Sequence, residues 1–196
     1  MLLKAKLFLQ ALWKLNIGWD EAIPLQLHRA WQQFETQLNC VQELNIPRRI
    51  VRDNATNVQV HGFCDASQKA YVACVYLRST DLSDSTSVEL ICSKSRVAPL
   101  KPQTLPRLEL CAAALLTKLV NNTLRALKMS IDRIVLWTDS MIVLHWIKTP
   151  PHTLKTFVAN RVTQIQEETQ VAQWRHVTTQ LRRLRLQRYR PRISIK

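Results

Sequence analysis

The spacing of apolar residues changes period several times along the chain, and each change marks an element. Residues Leu2 to Leu15 place apolar side chains at helical spacing, which predicts an amphipathic helix. A second helix begins near Pro24, a residue that suits a first turn because it has no N–H to satisfy. Leu27, Trp31, Phe34, Leu38 and Val41 line one face of it, and Asn45-Ile46-Pro47 ends it. Two helices bury little apolar surface alone, so this pair is expected to pack on something else. From Val58 the period drops. VQVHGFCD (58–65) reads as a strand, Ala66-Ser67-Gln68-Lys69 as a turn, and AYVACVYL (70–77) as the returning strand of a hairpin. A polar loop over 81–87 precedes a third, shorter strand from Val88 to Lys94.

Helical spacing returns after Pro99 and Pro102. Thr104-Leu105-Pro106 opens a long helix that runs to about Lys128, with Leu108, Cys111, Leu115 and Leu119 on its apolar face. Ala112, Ala113 and Ala114 let it lie close to a sheet. The run Ile134-Val135-Leu136-Trp137 is too short for a helix and reads as a strand buried on both faces. Thr138 or Asp139 is the expected N-cap of a short helix from Met141 to Ile147. Pro150-Pro151 ends that helix; Leu154 to Thr169 reads as another, and Val171 to Val177 as a fifth strand. The expected class is α/β: a five-stranded mixed sheet flanked by helices, with an N-terminal helical segment. A fourth strand lying parallel beside the first needs a crossover that carries the long helix over one sheet face. Asp65 and Asp139 then end neighbouring strands at one edge, the place where open α/β sheets bind ligands. Glu109, one turn into the crossover helix, can point toward the same edge.

Charge sharpens this picture. A hydrophobic content of 46% fits a globular protein, but a formal charge of +14 argues against a neutral metabolic enzyme and for a polyanionic partner. Residues 175–196 hold eight Lys or Arg and no acid. The tail from 180 is expected to be disordered, with Arg182, Arg183 and Arg185 as nucleic-acid contacts. Five cysteines without a CxxC pair suggest free thiols in a reducing, intracellular compartment, cytoplasmic or nuclear, and no zinc site. Two glycines exclude a Gly-rich phosphate loop, no stretch approaches membrane-spanning length, and the N-terminus lacks the pattern of a secretory signal.

Each acid singly has an ordinary structural role: Asp65 as a turn cap, Glu109 as a solvated helix residue, Asp139 as an N-cap. Together they would repel, and a divalent cation such as Mg²⁺ resolves the repulsion. Two ions about 4 Å apart can activate a water and stabilise the leaving oxygen of a phosphodiester. His61 and His176 sit inside strand patterns and read as packed structural histidines.

The motifs HGFCDASQKAYVACVYLR, SKSRVAPLKPQTLPRLELCAAALL, VLWTDSMIVLHWI, FVANRVTQIQ and WRHVTT resemble the ribonuclease H-like region of BEL/Pao retrotransposon polyproteins, over roughly residues 1–179. This region is also catalogued as Pao retrotransposon peptidase. Aspartic peptidases carry an Asp-Ser/Thr-Gly loop, however, and neither Asp65-Ala66-Ser67 nor Asp139-Ser140-Met141 has the Gly.

The resemblance implies a ribonuclease H-like fold and hydrolysis of the RNA strand of RNA–DNA hybrids. Asp65, Glu109 and Asp139 would be the catalytic and Mg²⁺- or Mn²⁺-binding acids, and Ser67, Ser140 and Arg107 would be further nucleic-acid contacts. It divides the chain into a helical connection from a reverse transcriptase (1–57), the ribonuclease H-like domain without its last helix (58–179) and the basic tail (180–196). Its implied partners are a hybrid or other nucleic acid and the reverse transcriptase and integrase parts of the parent polyprotein, with no membrane. The family continues after WRHV with an Asn-Pro-Ala-Asp-type segment whose Asp completes the metal site. Here Thr178-Thr179-Gln180 follows instead, and the only acids after Asp139 are Glu167 and Glu168. Impaired cleavage is therefore expected, with an inactive nucleic-acid-binding fragment as the alternative.

Overall fold

Alternating β-branched and aromatic residues build three long antiparallel strands, β1 (Ala55–Ala66), β2 (Ala70–Asp81) and β3 (Thr86–Val97). The computed structural model describes residues 2–41 and 49–177; the break at Asn45-Ile46-Pro47 and the tail with Arg182, Arg183 and Arg185 lie outside them. All three strands are longer than their apolar runs. Polar residues extend the pairing, through a Ser79–Ser87 hydroxyl contact at 2.9 Å and a Thr80–Thr86 contact at 3.1 Å. The expected loop over 81–87 thus shrinks to a tight turn in which Asp81 accepts from the Ser83 hydroxyl (2.6 Å) and from the Ser83 and Ser85 amides (3.0 Å each).

Helix α3 (Leu105–Leu127) crosses over to β4 (Arg133–Thr138), which pairs parallel with β1; β5 (Trp174–His176) pairs parallel with β4. The sheet order is β3-β2-β1-β4-β5, the mixed five-stranded arrangement read from the sequence. The fifth strand is shorter than expected. Val171–Gln173 form a 3-10 turn closed by reciprocal Gln170 and Gln173 side-chain bonds, which leaves only three residues to pair. Helix α4 (Met141–Lys148), a short 3-10 turn at Pro151–Thr153 and helix α5 (Thr156–Glu168) connect β4 to β5.

The core lies between the sheet and α3. The buried side of α3 is wider than the stripe Leu108–Cys111–Leu115–Leu119. Beyond Leu108, the residues Leu110, Ala112, Ala113, Leu116, Thr117 and Val120 are fully buried, whereas Cys111 is only half-buried. The helix is enclosed by β1 and β2 on one side and α5 on another, so it needs two apolar sides. Gly62 permits the close approach: a Cβ there would stand 2.7 Å from Leu116 Cδ1 and 3.0 Å from Leu136 Cδ2.

The N-terminal helices α1 (Leu2–Leu15) and α2 (Leu25–Leu38) contain no buried residues. Pro24 is the N-cap of α2 rather than part of its first turn. Phe8 and Trp31 hold the pair together with ring centroids 5.0 Å apart. Helix α1 rests on the β3 edge, where the Lys6 ammonium donates to the Ser95 carbonyl and the Gln10 amide to the Ala98 carbonyl, both at 2.6 Å. The expectation that this segment packs on something else is met there.

Candidate functional site

The two ends of the β1–β4 pair differ in chemistry. At the end where β4 begins, the Asp132 carboxylate accepts the Val58 amide at 2.7 Å and the Asp132 amide donates to the Val58 carbonyl at 2.9 Å. That reciprocal pair fixes the parallel register, which runs from Gln59↔Arg133 to Phe63↔Trp137. Two further steps along both strands bring Asp65 level with Asp139. Neighbouring strands lie about 4.8 Å apart, so the two carboxylates share one edge.

Burial of the adjacent Cys64 thiol reports the same proximity. Its pKa is pushed far above the ordinary thiol range, chiefly by burial. A hydrogen bond with the Thr138 side chain opposes that shift, and the negative charges of Asp139, Cys74 and Asp65 add to it. Both carboxylates are therefore within electrostatic reach of one buried sulfur. Both side chains are half-buried.

Local structure at the β4 end differs from expectation in one respect. Ser140, not Thr138 or Asp139, is the N-cap of α4: its hydroxyl accepts the Val143 amide at 3.2 Å. Thr138 accepts the Ser140 amide at 3.2 Å and so shapes the turn one residue earlier. With Ser140 as the cap, the Asp139 side chain is not needed to start the helix. Ser140 is buried in this role, so its hydroxyl does not face solvent as a nucleic-acid contact would. Ser67 remains exposed, although its hydroxyl closes the β1–β2 turn by accepting the Lys69 and Ala70 amides, each at 3.3 Å.

Glu109 sits half-buried on α3, whose N-terminus follows the end of β3 that pairs with the start of β2. It belongs to the same end of the sheet but approaches from the α3 side. Among the described residues no group of three His, Cys, Asp or Glu side chains is placed to hold a metal ion. The structure thus brings Asp65 and Asp139 to one edge and places Glu109 on α3 at the same end of the sheet. The donor chemistry of the pair still fits Mg²⁺, which binds through one or two carboxylates and keeps several waters.

The strand pattern around His176 predicts a packed strand histidine. It does lie in β5, but it is exposed, and its Nε2 donates to the Asp139 carbonyl at 3.2 Å. The sequence signal was its place near the end of a short strand, where a side chain escapes packing. His61 is structural, as expected: buried, and stacked on Trp137 with centroids 6.5 Å apart. The Trp137 indole donates to His61 Nδ1 at 3.3 Å, so His61 Nε2 carries the proton toward Gln59 Oε1 at 3.1 Å. Phe63 stacks on Trp137 and meets Tyr76 edge-on, extending an aromatic cluster along the strands that lead to Asp65 and Asp139. Burial in this cluster, reinforced by Cys74, pushes the Tyr76 hydroxyl up to about 12. Arg107 lies over the Phe157 ring, 4.8 Å from its centroid.

Among solved structures the chain is similar to the RNase H1 of the halophilic archaeon Halobacterium salinarum NRC-1, at 13% identity and a TM-score of 0.38, covering 65% of this chain and 89% of that one. It is also similar to the compost-derived LC11-RNase H1, solved in complex with an RNA/DNA hybrid, at 14% identity and a TM-score of 0.37, covering 64% and 88%. A foamy viral protease-reverse transcriptase in complex with dsDNA matches at 18% identity and a TM-score of 0.48; the match spans 87% of this chain but 32% of the viral protein. No curated protein matches in sequence. A family model described as the Pao retrotransposon-like RNaseH-like domain matches residues 1–140. That span carries β1 to β4, α3 and both edge aspartates, and the chain belongs to this retrotransposon RNaseH-like family.

Proposed function

We propose that this domain hydrolyses the RNA strand of RNA–DNA hybrids with Mg²⁺ or Mn²⁺, at a low rate. The observation that carries the reading is the pairing of Asp65 and Asp139 at the ends of adjacent parallel strands. These two carboxylates would hold the ion, and Glu109 would join them by a side-chain rotation once a cation offsets the repulsion among three acids. When bound, the metal supplies an activated water and stabilises the leaving oxygen. The chain's own residues supply position. Ser140 and Thr138 fix the turn that presents Asp139, and His176 holds the Asp139 carbonyl. Ser67, Arg107 and the tail residues Arg182, Arg183 and Arg185 would contact phosphates, and recognition of 2′-hydroxyls would select the RNA strand.

The low rate follows from the supply of acids. Glu168 is tied to Asn121 (3.0 Å) and Gln164 (3.1 Å), so it does not replace a fourth ligand, and Glu167 is exposed. A second reading, a nucleic-acid-binding domain without turnover, is favoured by the missing three-acid group among the described residues. In either case the partition into a connection segment (1–57), a ribonuclease H-like domain (58–179) and a basic tail (180–196) is part of the proposal. So is association with reverse transcriptase and integrase segments of a polyprotein. No described helix is long and apolar enough to cross a membrane.

The test is cleavage of a hybrid with a labelled RNA strand in Mg²⁺ and in Mn²⁺. Slow cleavage that Mn²⁺ accelerates is expected. Retained binding without cleavage in either ion would establish the second reading.

A further inference from the structure

On the helical side of the sheet a cleft of about 290 Å³ opens between α3, α5 and the paired ends of β2 and β3. Arg96, Lys118 and Arg161 converge on it from three different elements, joined by Tyr71, Cys111 and Asn160. Tyr71 and Arg96 are register partners, so the sheet itself sets their spacing. Arg161 is held in place: its guanidinium lies 3.6 Å from the Phe157 ring centroid and donates to the Phe157 carbonyl at 2.9 Å.

Among the described residues no acid lines this cleft. The elements that wall it carry Asp81, Glu89, Glu109, Glu167 and Glu168. Of these, Asp81 is paired with Arg52, and Glu168 is bonded to Asn121 and Gln164. Among the described residues neither Arg96, Lys118 nor Arg161 forms an ion pair. Three cations facing one cleft repel one another, and the described residues offer them no counter-ion. A phosphate-bearing ligand removes that repulsion. Successive phosphates along a strand match three cations spread over a cleft better than one compact anion does, and Tyr71 adds an aromatic face of the kind on which bases stack.

We propose that the α3–α5 cleft binds the backbone of an unpaired nucleic-acid strand. The proposal stands on the cleft alone and is independent of whether Asp65 and Asp139 cleave anything.

The test uses the full chain and a labelled single-stranded oligonucleotide. The variant Arg96→Ala/Lys118→Ala removes two charges and leaves the Arg161–Phe157 contact intact. The control Arg125→Ala/Lys148→Ala removes two exposed charges elsewhere. Each lost phosphate contact should flatten the dependence of log affinity on log salt by about 0.7, so the cleft variant should lose about 1.4 from that slope and the control much less. Location is read independently by alkylation of Cys111, which lines the cleft, relative to Cys92, which does not. The oligonucleotide should protect Cys111 in the parent protein and not in the cleft variant. Equal slopes for cleft and control variants would overturn the proposal, as would unprotected Cys111 at saturating oligonucleotide. Protection by polyglutamate as strong as by the oligonucleotide would overturn it in favour of an acidic polypeptide. Protection by a blunt duplex hybrid but not by the single strand would overturn the choice of an unpaired strand. Because Asp139→Asn lies outside the cleft, it should change neither slope nor protection, which separates this proposal from the cleavage reading.

Discussion

The parallel pair β1–β4 carries aspartates at both ends, and the two ends use them in opposite ways. Asp132 is spent on structure: its carboxylate accepts a backbone amide that would otherwise need another partner, and the reciprocal bond locks the register. Asp65 and Asp139 stand side by side, where two like charges destabilise rather than bind one another. The capping duty that would explain Asp139 is performed by Ser140. The same residue type is therefore tied to a backbone N–H at one end of the strand pair and set beside another carboxylate at the other.

The strongest way to break this comparison is Asp139→Asn. It should abolish hybrid cleavage while leaving the midpoint of urea unfolding unchanged or slightly raised, because one of two neighbouring charges is gone. A variant that cleaves normally would return Asp139 to an ordinary structural role.

Between the two ends, Gly62→Val tests whether the register is held by packing as well as by Asp132. Added carbons must enter the space occupied by Leu116 and Leu136, both fully buried. A loss of about 1–3 kcal/mol is expected from denaturant titration, typical of an overpacked core. No loss would mean that α3 can retreat from the sheet without cost.

Asp132→Ala is the mirror of the first test. It should cost about 1 kcal/mol, the net worth of one hydrogen bond, and leave metal-dependent cleavage per folded molecule intact. Loss of cleavage without loss of stability would make the two ends equivalent.

The smallest effect is expected at Asp81, in the β2–β3 turn. The Ser83 hydroxyl holds its carboxyl below its ordinary value of 3.8; burial opposes it as the next-largest influence, and the Ser85 and Ser83 amides and Arg52 together keep the value lowered. The folded state thus binds its proton less readily than the unfolded chain does. The stabilisation is complete above about pH 4 and is lost as the pH falls through the lowered value. Asp81→Asn should therefore flatten the acid limb of a stability–pH curve and hardly alter stability at neutral pH beyond the lost turn bonds. An unchanged acid limb would show that the turn does not distinguish the charged carboxylate.

Much of the architecture was legible in the sequence because it depends on periodicity. The change from helical spacing to short apolar runs and back locates all five strands, and the run Ile134–Trp137 predicts the strand that lies between β1 and β5. Polar pairing was not legible. Ser79, Thr80, Thr86 and Ser87 look like loop residues until another strand lies opposite them, since cross-strand hydroxyl contacts have no signature within one segment. The sequence by itself determined which acids end strands, where helical and extended segments fall, and that the chain carries far more base than acid. Only the tertiary structure decided that Ser140 takes the cap, that His176 reaches the Asp139 carbonyl, and that Arg96, Lys118 and Arg161 share one cleft. The physical reason is distance along the chain. Periodicity is a property of neighbouring residues, whereas a hydrogen bond, a repulsion or a shared cleft belongs to residues that folding alone brings together.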